Sequence, residues 1–107
     1  MVAFLKKEEM TIMPKHTILV VDDESAIRDM MCIALEAADY NVLQAKNAQQ
    51  AHAVIIDRHP DLVLLDWMMP GTSGLELLRR IKRDEITEKI PVIMLTAKAE
   101  EDSKVYG

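Results

Sequence analysis

Acidic residues follow two apolar runs of the chain, and these acids are where the sequence could do chemistry. The run Ile18–Val21 ends in Asp22 and Asp23, and the run Leu62–Leu65 ends in Asp66. A short apolar run bounded by turn residues is typical of a buried strand. Open α/β sheets bind ligands beside the carboxyl ends of their strands. The sequence therefore predicts one acidic pocket to which both runs contribute.

Crowded carboxylates of this kind favour a divalent cation. Like charges a few ångströms apart disfavour joint ionisation, and a cation relieves the repulsion. Mg²⁺ prefers oxygen ligands in octahedral geometry and typically combines one or two carboxylates with phosphate oxygens. We therefore expect a site for Mg²⁺ and a phosphoryl group. A further apolar run ends in Thr96, whose hydroxyl could donate to a phosphoryl oxygen, as could the backbone N–H groups of Trp67 and Ala97.

One carboxylate of such a site can itself attack phosphorus and form an acyl phosphate. Asp66 is the better candidate for this nucleophile, because it stands alone at the end of an apolar run. Asp22 and Asp23 are adjacent and are better placed as a metal-binding pair.

The elements that must position these acids alternate along the chain. Alternating strands and helices favour an α/β fold with a parallel sheet, helices on both faces and right-handed crossovers. The predicted strands are 17–21, 41–45, 62–66 and 91–96, and the predicted helices are 26–38, 48–58 and 74–83.

The helices also show start signals and apolar faces. Asn47, with Gln50 three residues on, and Ser73, with Glu76 three residues on, predict capping boxes. The residues that we expect on the apolar faces of the three helices are Ile27, Met30, Met31, Ala34, Leu35 and Ala38; Ala48, Ala51, Val54 and Ile55; and Leu75, Leu78 and Ile81.

Composition limits the classes of protein that the chain can be. Its 107 residues suffice for one small domain, and its formal charge of −5 argues against binding nucleic acid by itself. The single Cys32 fits a reducing, cytoplasmic setting. No apolar stretch approaches the roughly 20 residues that span a bilayer, so we expect no membrane partner. Residues 1–15 are predicted to be a polar leader, and Met10 and Met13 are alternative start sites to Met1.

Three motifs together resemble the receiver domain of bacterial two-component response regulators. They are ILVVDDE at 18–24, LLDWMMPGTSG at 64–74 and IPVIMLTA at 90–97. The resemblance covers about residues 16–107. Within the family, the motifs are most similar to those of the OmpR/PhoB class, of the phosphate-regulon type. It implies a flavodoxin-like (CheY-like) doubly wound parallel sheet with strand order 2-1-3-4-5.

The resemblance also implies a role for each site residue. Asp66 would be the phosphoacceptor, Asp23 would bind Mg²⁺ directly, and Asp22 would bind it mostly through water. The backbone carbonyl of Met68 would be another metal ligand, and Thr96 would be the switch hydroxyl that turns towards the phosphoryl group. The phosphoryl donor would be a phosphohistidine of a sensor histidine kinase.

The family pattern continues beyond this sequence, to a fifth strand that carries a phosphoryl-binding lysine and then a fifth helix. We therefore expect residues 16–107 to be an incomplete receiver domain that lacks about 25–30 residues. Lys98 and Lys104 follow strand four too soon to replace that lysine. We expect strand four to be an open edge through which copies associate, as a homodimer or otherwise, and the chain to have low stability as a monomer. DNA would be bound only through a winged-helix output domain absent from this chain.

The preferred hypothesis is a domain that catalyses its own phosphorylation and is not an enzyme with an external substrate. A Mg²⁺-dependent phosphohydrolase also uses an aspartate nucleophile, but it usually shows Asp-x-Asp, and here position 68 is Met. A degenerate receiver acting as a non-catalytic interaction module is the third hypothesis. The intact acidic residues argue against it, and the missing lysine keeps it open.

Overall fold

The computed structural model describes residues 15–66 and 73–95 of the chain. Four strands and three helices alternate in this part. The strands are β1 (Thr17–Val21), β2 (Asn41–Ala45), β3 (Leu62–Asp66) and β4 (Val92–Leu95), and the helices are α1 (Ser25–Ala37), α2 (Ala48–Arg58) and α3 (Gly74–Arg83). Residues 1–14 of the predicted leader 1–15 and the predicted strand residue Thr96 lie outside the described residues.

The four strands form one parallel sheet in the order β2-β1-β3-β4. This order confirms the predicted arrangement of the first four strands. Val21 pairs with Ala45 of β2 and with Leu65 of β3. The pairing aligns the carboxyl ends of β1 and β3, so the residues that follow Val21 and Leu65 start out side by side.

The central strand β1 is buried on both faces of the sheet, and its neighbour β3 is fully buried on one face. Leu19, Val20 and Val21 of β1 are fully buried, as are Val63 and Leu65 of β3. Successive side chains of a strand point to opposite faces, so the burial of β1 requires cover on each face. Val63 and Leu65 point to the same face of β3, and Leu62 and Leu64 on its other face are half-buried. One face packs against α2 and α3 in a single cluster formed by Leu19, Val21, Ala45, Ala48, Ala51, Ile55, Val63, Leu65, Leu77 and Ile81.

The predicted caps start α2 and α3, although neither makes a complete capping box. Asn47 Oδ1 accepts a hydrogen bond from the N–H of Gln50 at 2.8 Å, and Ser73 Oγ accepts one from the N–H of Glu76 at 3.2 Å. The Gln50 side chain accepts from the N–H of Lys46, one residue before the cap. The Glu76 carboxylate instead faces three arginines on α3, which compete for it: Arg79, Arg80 and Arg83.

The predicted apolar faces of α1 and α3 were partly wrong. On α1, Met30 is 63% exposed, while Cys32, which the prediction omitted, is buried. On α3, Leu77 is fully buried and Leu75 is 37% exposed. Ala34 and Ala38, which were also predicted on the apolar face of α1, are exposed. The predicted apolar face of α2 is confirmed. The apolar residues of α1 and α3 cover an arc wider than the sheet can contact, so packing decides how each helix is rotated.

The turn after α3 determines how the chain enters β4. The hydroxyl of Thr87, which is 1% exposed, donates to the Ile81 carbonyl at 2.7 Å. The ammonium group of Lys82 donates to the carbonyls of Glu88 and Ile90 at 2.9 and 2.7 Å. The first bond uses the Ile81 carbonyl, which the end of α3 leaves without an intrahelical partner, and the Lys82 bonds use carbonyls of the turn that follows. They tie the end of α3 to the segment that leads into β4.

Thr87→Val tests this connection. Valine keeps the shape of threonine but leaves the Ile81 carbonyl without its donor, so we expect the free energy of unfolding to fall by about 1–2 kcal/mol. Urea-induced unfolding followed by circular dichroism measures the change. Glu85→Gln, an exposed substitution in the same turn, is the control and should change stability by less than about 0.5 kcal/mol. A Thr87→Val protein as stable as the wild type would show that the hydrogen bond contributes nothing net.

Candidate metal centre

Three acids meet where β1 and β3 end. Asp22 and Asp23 follow β1, and Asp66 is the last residue of β3. One carboxylate oxygen from each of the three lies within 4.8 Å of the others. The structure thus brings together the acids that the sequence placed at the ends of two separate apolar runs, because the strands that carry them are paired neighbours.

The three acids differ in burial and in their contacts. Asp22 is 4% exposed and Asp66 is 9% exposed, whereas Asp23 is exposed. Asp22 Oδ1 accepts a hydrogen bond from the N–H of Glu24 at 2.9 Å. The N–H of Asp22 donates to the carbonyl of Ala45 at 3.1 Å. Asp22 is therefore oriented through both its main chain and its side chain, and Asp23 faces solvent.

An arginine that the sequence reasoning missed contacts the same loop. Arg28 lies on α1, and one of its terminal guanidinium nitrogens donates to the backbone carbonyl of Asp22 at 2.7 Å. Its Nε donates to the side-chain oxygen of Gln44 on β2 at 3.0 Å. The available signal was the position of Arg28 one turn into a helix that starts directly after the acids. Helical side chains lean towards the helix N-terminus, which is the direction of the acids.

The chemistry of this donor set fits Mg²⁺. All three side chains offer hard carboxylate oxygens, the ligand type that Mg²⁺ prefers. Two ionised carboxylates about 5 Å apart repel each other by about 3 kcal/mol at an effective dielectric constant of about 20. A divalent cation between them replaces this repulsion with attraction. Asp22, Asp23 and Asp66 are thus suited to hold such a cation.

Four residues to which the sequence assigned roles lie outside the described residues. They are Trp67, Met68, Thr96 and Ala97. Leu95, the residue before Thr96 in the sequence, pairs with Asp66. The roles of these four residues stay predictions.

Cys32 lies on the buried side of α1 and is not part of the acidic cluster. Burial raises the pKa of its thiol above the ordinary value, and the nearby carboxylate of Glu36 raises it further. A hydrogen bond with the Gln44 side chain acts in the opposite direction. Because the thiolate is the reactive form, these surroundings favour an inert packing residue.

Comparison with known proteins identifies the class. The sequence profile of the response regulator receiver domain matches residues 18–106. The chain therefore belongs to the response regulator receiver domain family, which confirms the resemblance carried by the three motifs. None of the described helices is long and apolar enough to cross a membrane.

Individual relatives place the chain near the phosphate-regulon regulators of the OmpR/PhoB class. It is 68% identical over 91 residues to the phosphate regulon transcriptional regulatory protein PhoB of Pseudomonas aeruginosa, covering 85% of this chain and 40% of that protein. It is 44% identical over 90 residues to PhoB of Escherichia coli, covering 84% of this chain and 39% of that protein. The chain thus spans about 40% of the length of the curated relatives that it matches.

A solved structure supports the fold independently. The N-terminal domain of a response regulator receiver protein from Methanoculleus marisnigri superposes with a TM-score of 0.73 at 38% identity. The superposition covers 85% of this chain and 78% of that one. The parallel sheet described above is therefore the receiver fold.

The surroundings of Cys32 predict slow alkylation. A raised thiol pKa leaves less thiolate at a given pH, and burial limits access, so we expect iodoacetamide at pH 8 to modify the folded chain several-fold more slowly than the urea-unfolded chain. Intact mass reports on this residue alone, because the sequence contains one cysteine. Glu36→Gln removes one cause of the raised pKa and should speed the reaction of the folded protein. Equal rates in the folded and unfolded chains would contradict the prediction.

Proposed function

We propose that this chain is the phosphoacceptor domain of a two-component signalling system, in which Asp66 receives a phosphoryl group from a phosphohistidine of a sensor histidine kinase. The observation that carries the proposal is the convergence of three carboxylates within 4.8 Å at the carboxyl edge of the sheet. Membership of the receiver family supports it.

Burial and position divide the roles among the acids. Asp66 belongs to β3, which is paired on both sides, by β1 and by β4. Its main chain is therefore held rigidly, as a nucleophile requires. One oxygen of Asp22 already accepts the N–H of Glu24, which favours contact with the metal mostly through water. The exposed Asp23 is free to bind the metal directly.

The proposed reaction transfers the phosphoryl group without an external substrate turning over. A carboxylate oxygen of Asp66 attacks phosphorus, a P–O bond forms, and the bond from phosphorus to the donor nitrogen breaks. The product is an acyl phosphate. Mg²⁺ bound by the acids, and by the carbonyl of Met68, would neutralise charge on the phosphoryl oxygens. The Thr96 hydroxyl and the N–H groups of Trp67 and Ala97 are proposed to receive those oxygens.

The wider role follows from the relatives. PhoB of Pseudomonas aeruginosa is named as a transcriptional regulatory protein, and we propose the same output for the protein to which residues 16–107 contribute the receiver. Because this chain has a formal charge of −5, a separate output domain would bind the DNA. The proposed location of the protein is the cytoplasm. Association of copies through the β4 edge, where Ile93 is 51% exposed, stays a prediction. So does the polar leader over 1–15.

Phosphorylation with acetyl phosphate and Mg²⁺ tests the proposal. Intact mass should show one added phosphoryl group on the wild type and none on Asp66→Ala. Asp57→Ala, which removes an exposed carboxylate on α2, is the matched control and should be phosphorylated like the wild type. Asp23→Asn should slow phosphorylation by about tenfold or more, and chelation of Mg²⁺ should abolish it.

Two outcomes would contradict the proposal. A phosphoryl group that still appears on Asp66→Ala would place the acceptor elsewhere. Repeated turnover of a phosphate ester by the wild type would favour the phosphohydrolase alternative.

A further inference from the structure

We infer that Arg28 is a positioning residue for the metal centre: its guanidinium group holds the peptide between Asp22 and Asp23 in the orientation that binds the cation. This inference rests on the proposed function, because it assumes that the acids bind Mg²⁺. It adds a residue that lies outside the acidic cluster and contributes no carboxylate to it.

The contacts of Arg28 form a bridge across three elements. The main-chain N–H of Arg28 donates to the carbonyl of Glu24 at 3.1 Å, which places the residue in the first turn of α1. From there its side chain reaches back to the Asp22 carbonyl at 2.7 Å and sideways to the Gln44 side chain at 3.0 Å. The bridge therefore links α1, the loop after β1 and the strand β2.

The carbonyl that Arg28 binds is the one that orients the acids. It belongs to the peptide between Asp22 and Asp23, and a peptide unit is planar. A hydrogen bond that fixes the carbonyl therefore also fixes the N–H of Asp23 and the direction of the main chain at Asp23. The other side of Asp22 is held by the bond from its N–H to Ala45. The exposed Asp23 depends most on this peptide, since its carboxylate is not enclosed by the core.

Gln44 gives the bridge a firm anchor. It lies on β2, where it pairs with the fully buried Val20 of β1. The Nε of Arg28 therefore meets an acceptor carried by the strand that pairs with β1.

Geometry and charge predict opposite effects for this arginine. A positive charge near a cation site repels the cation, so a purely electrostatic role means that removing the charge tightens Mg²⁺ binding. A positioning role means that removing the side chain weakens binding. Arg28→Lys distinguishes the electrostatic role from the positioning role further, because lysine keeps the charge but lacks the planar guanidinium group that serves two acceptors at once.

The decisive measurement is the Kd for Mg²⁺ without any phosphoryl donor. It can be followed by the emission of Trp67, the sole tryptophan, which follows Asp66 in the sequence. We expect Arg28→Lys and Arg28→Gln each to weaken binding by about tenfold, as loss of a residue that orients metal ligands does. Gln44→Ala leaves the bond to the Asp22 carbonyl in place and should weaken binding less, by about threefold. Arg58→Gln, which removes one arginine from the last turn of α2, is the charge-matched control and should leave Kd unchanged.

Phosphorylation kinetics give a second readout. In the Arg28 variants the Mg²⁺ concentration for half-maximal phosphorylation by acetyl phosphate should rise in parallel with Kd. The maximal rate at saturating Mg²⁺ should stay within about threefold of the wild type, because Arg28 touches no reacting atom. Thermal unfolding without Mg²⁺ shows whether each variant is folded. If Arg28→Gln does not fold, the Kd values of Arg28→Lys and Gln44→Ala test the positioning role.

Several results would overturn the inference. Tighter Mg²⁺ binding by Arg28→Gln, with Arg28→Lys unchanged, would mean that Arg28 acts only through its charge. Unchanged Kd values in Arg28→Lys and Gln44→Ala would mean that the bridge does not position the acids. Failure of the wild type itself to bind Mg²⁺ would contradict the metal site assumed in the proposed function. That outcome differs from one in which the wild type binds Mg²⁺ and the variants bind it equally well, which contradicts only the role of Arg28.

Discussion

The parallel pairing of β1 with β3 is the constraint on which the rest of the structure depends. The register that pairs Val21 with Leu65 delivers Asp22 and Asp66 to the same edge. A slip of one residue would turn every side chain of a strand to the opposite face. Because Val21 and Leu65 are fully buried in the same core cluster, a slip of either strand would turn one of these side chains out of that cluster. Burial of the central strands thereby protects the geometry of the site.

Packing of the apolar core does not by itself hold the acidic site in place. Carboxylates brought together by the sheet repel each other, and the loop after β1 lies beyond the last residue pair of β1 and β2. Hydrogen bonds from Asp22 to Ala45, and from Glu24 and Arg28 to Asp22, provide that support. A cation that binds only the folded arrangement would also stabilise it by mass action. Stability and cation binding would therefore be coupled through the same few residues.

Much of the fold could be predicted from local pattern. The bounds of β1, β2, β3 and α2 agree with prediction, since uninterrupted apolar runs and capping residues are local signals. The rotation of α1 and α3 was predicted less well. Leu75 and Leu77 are equally apolar, and only contact with the sheet and α2 selects Leu77 for burial. Arg28 was missed for a related reason, because its second acceptor, Gln44, lies 16 residues away in the sequence and comes within reach only when β2 pairs with β1.

The amino-acid sequence by itself determined which side chains can do chemistry and at which strand ends they lie. Alternating apolar runs and capped helices indicated the parallel sheet, and a parallel sheet brings the carboxyl ends of its strands to one edge. Only the tertiary structure decided which acids are buried, how closely their oxygens approach and which residue supports them. Those properties depend on strand register and helix rotation, which are set by the packing of the whole core and not by any local segment.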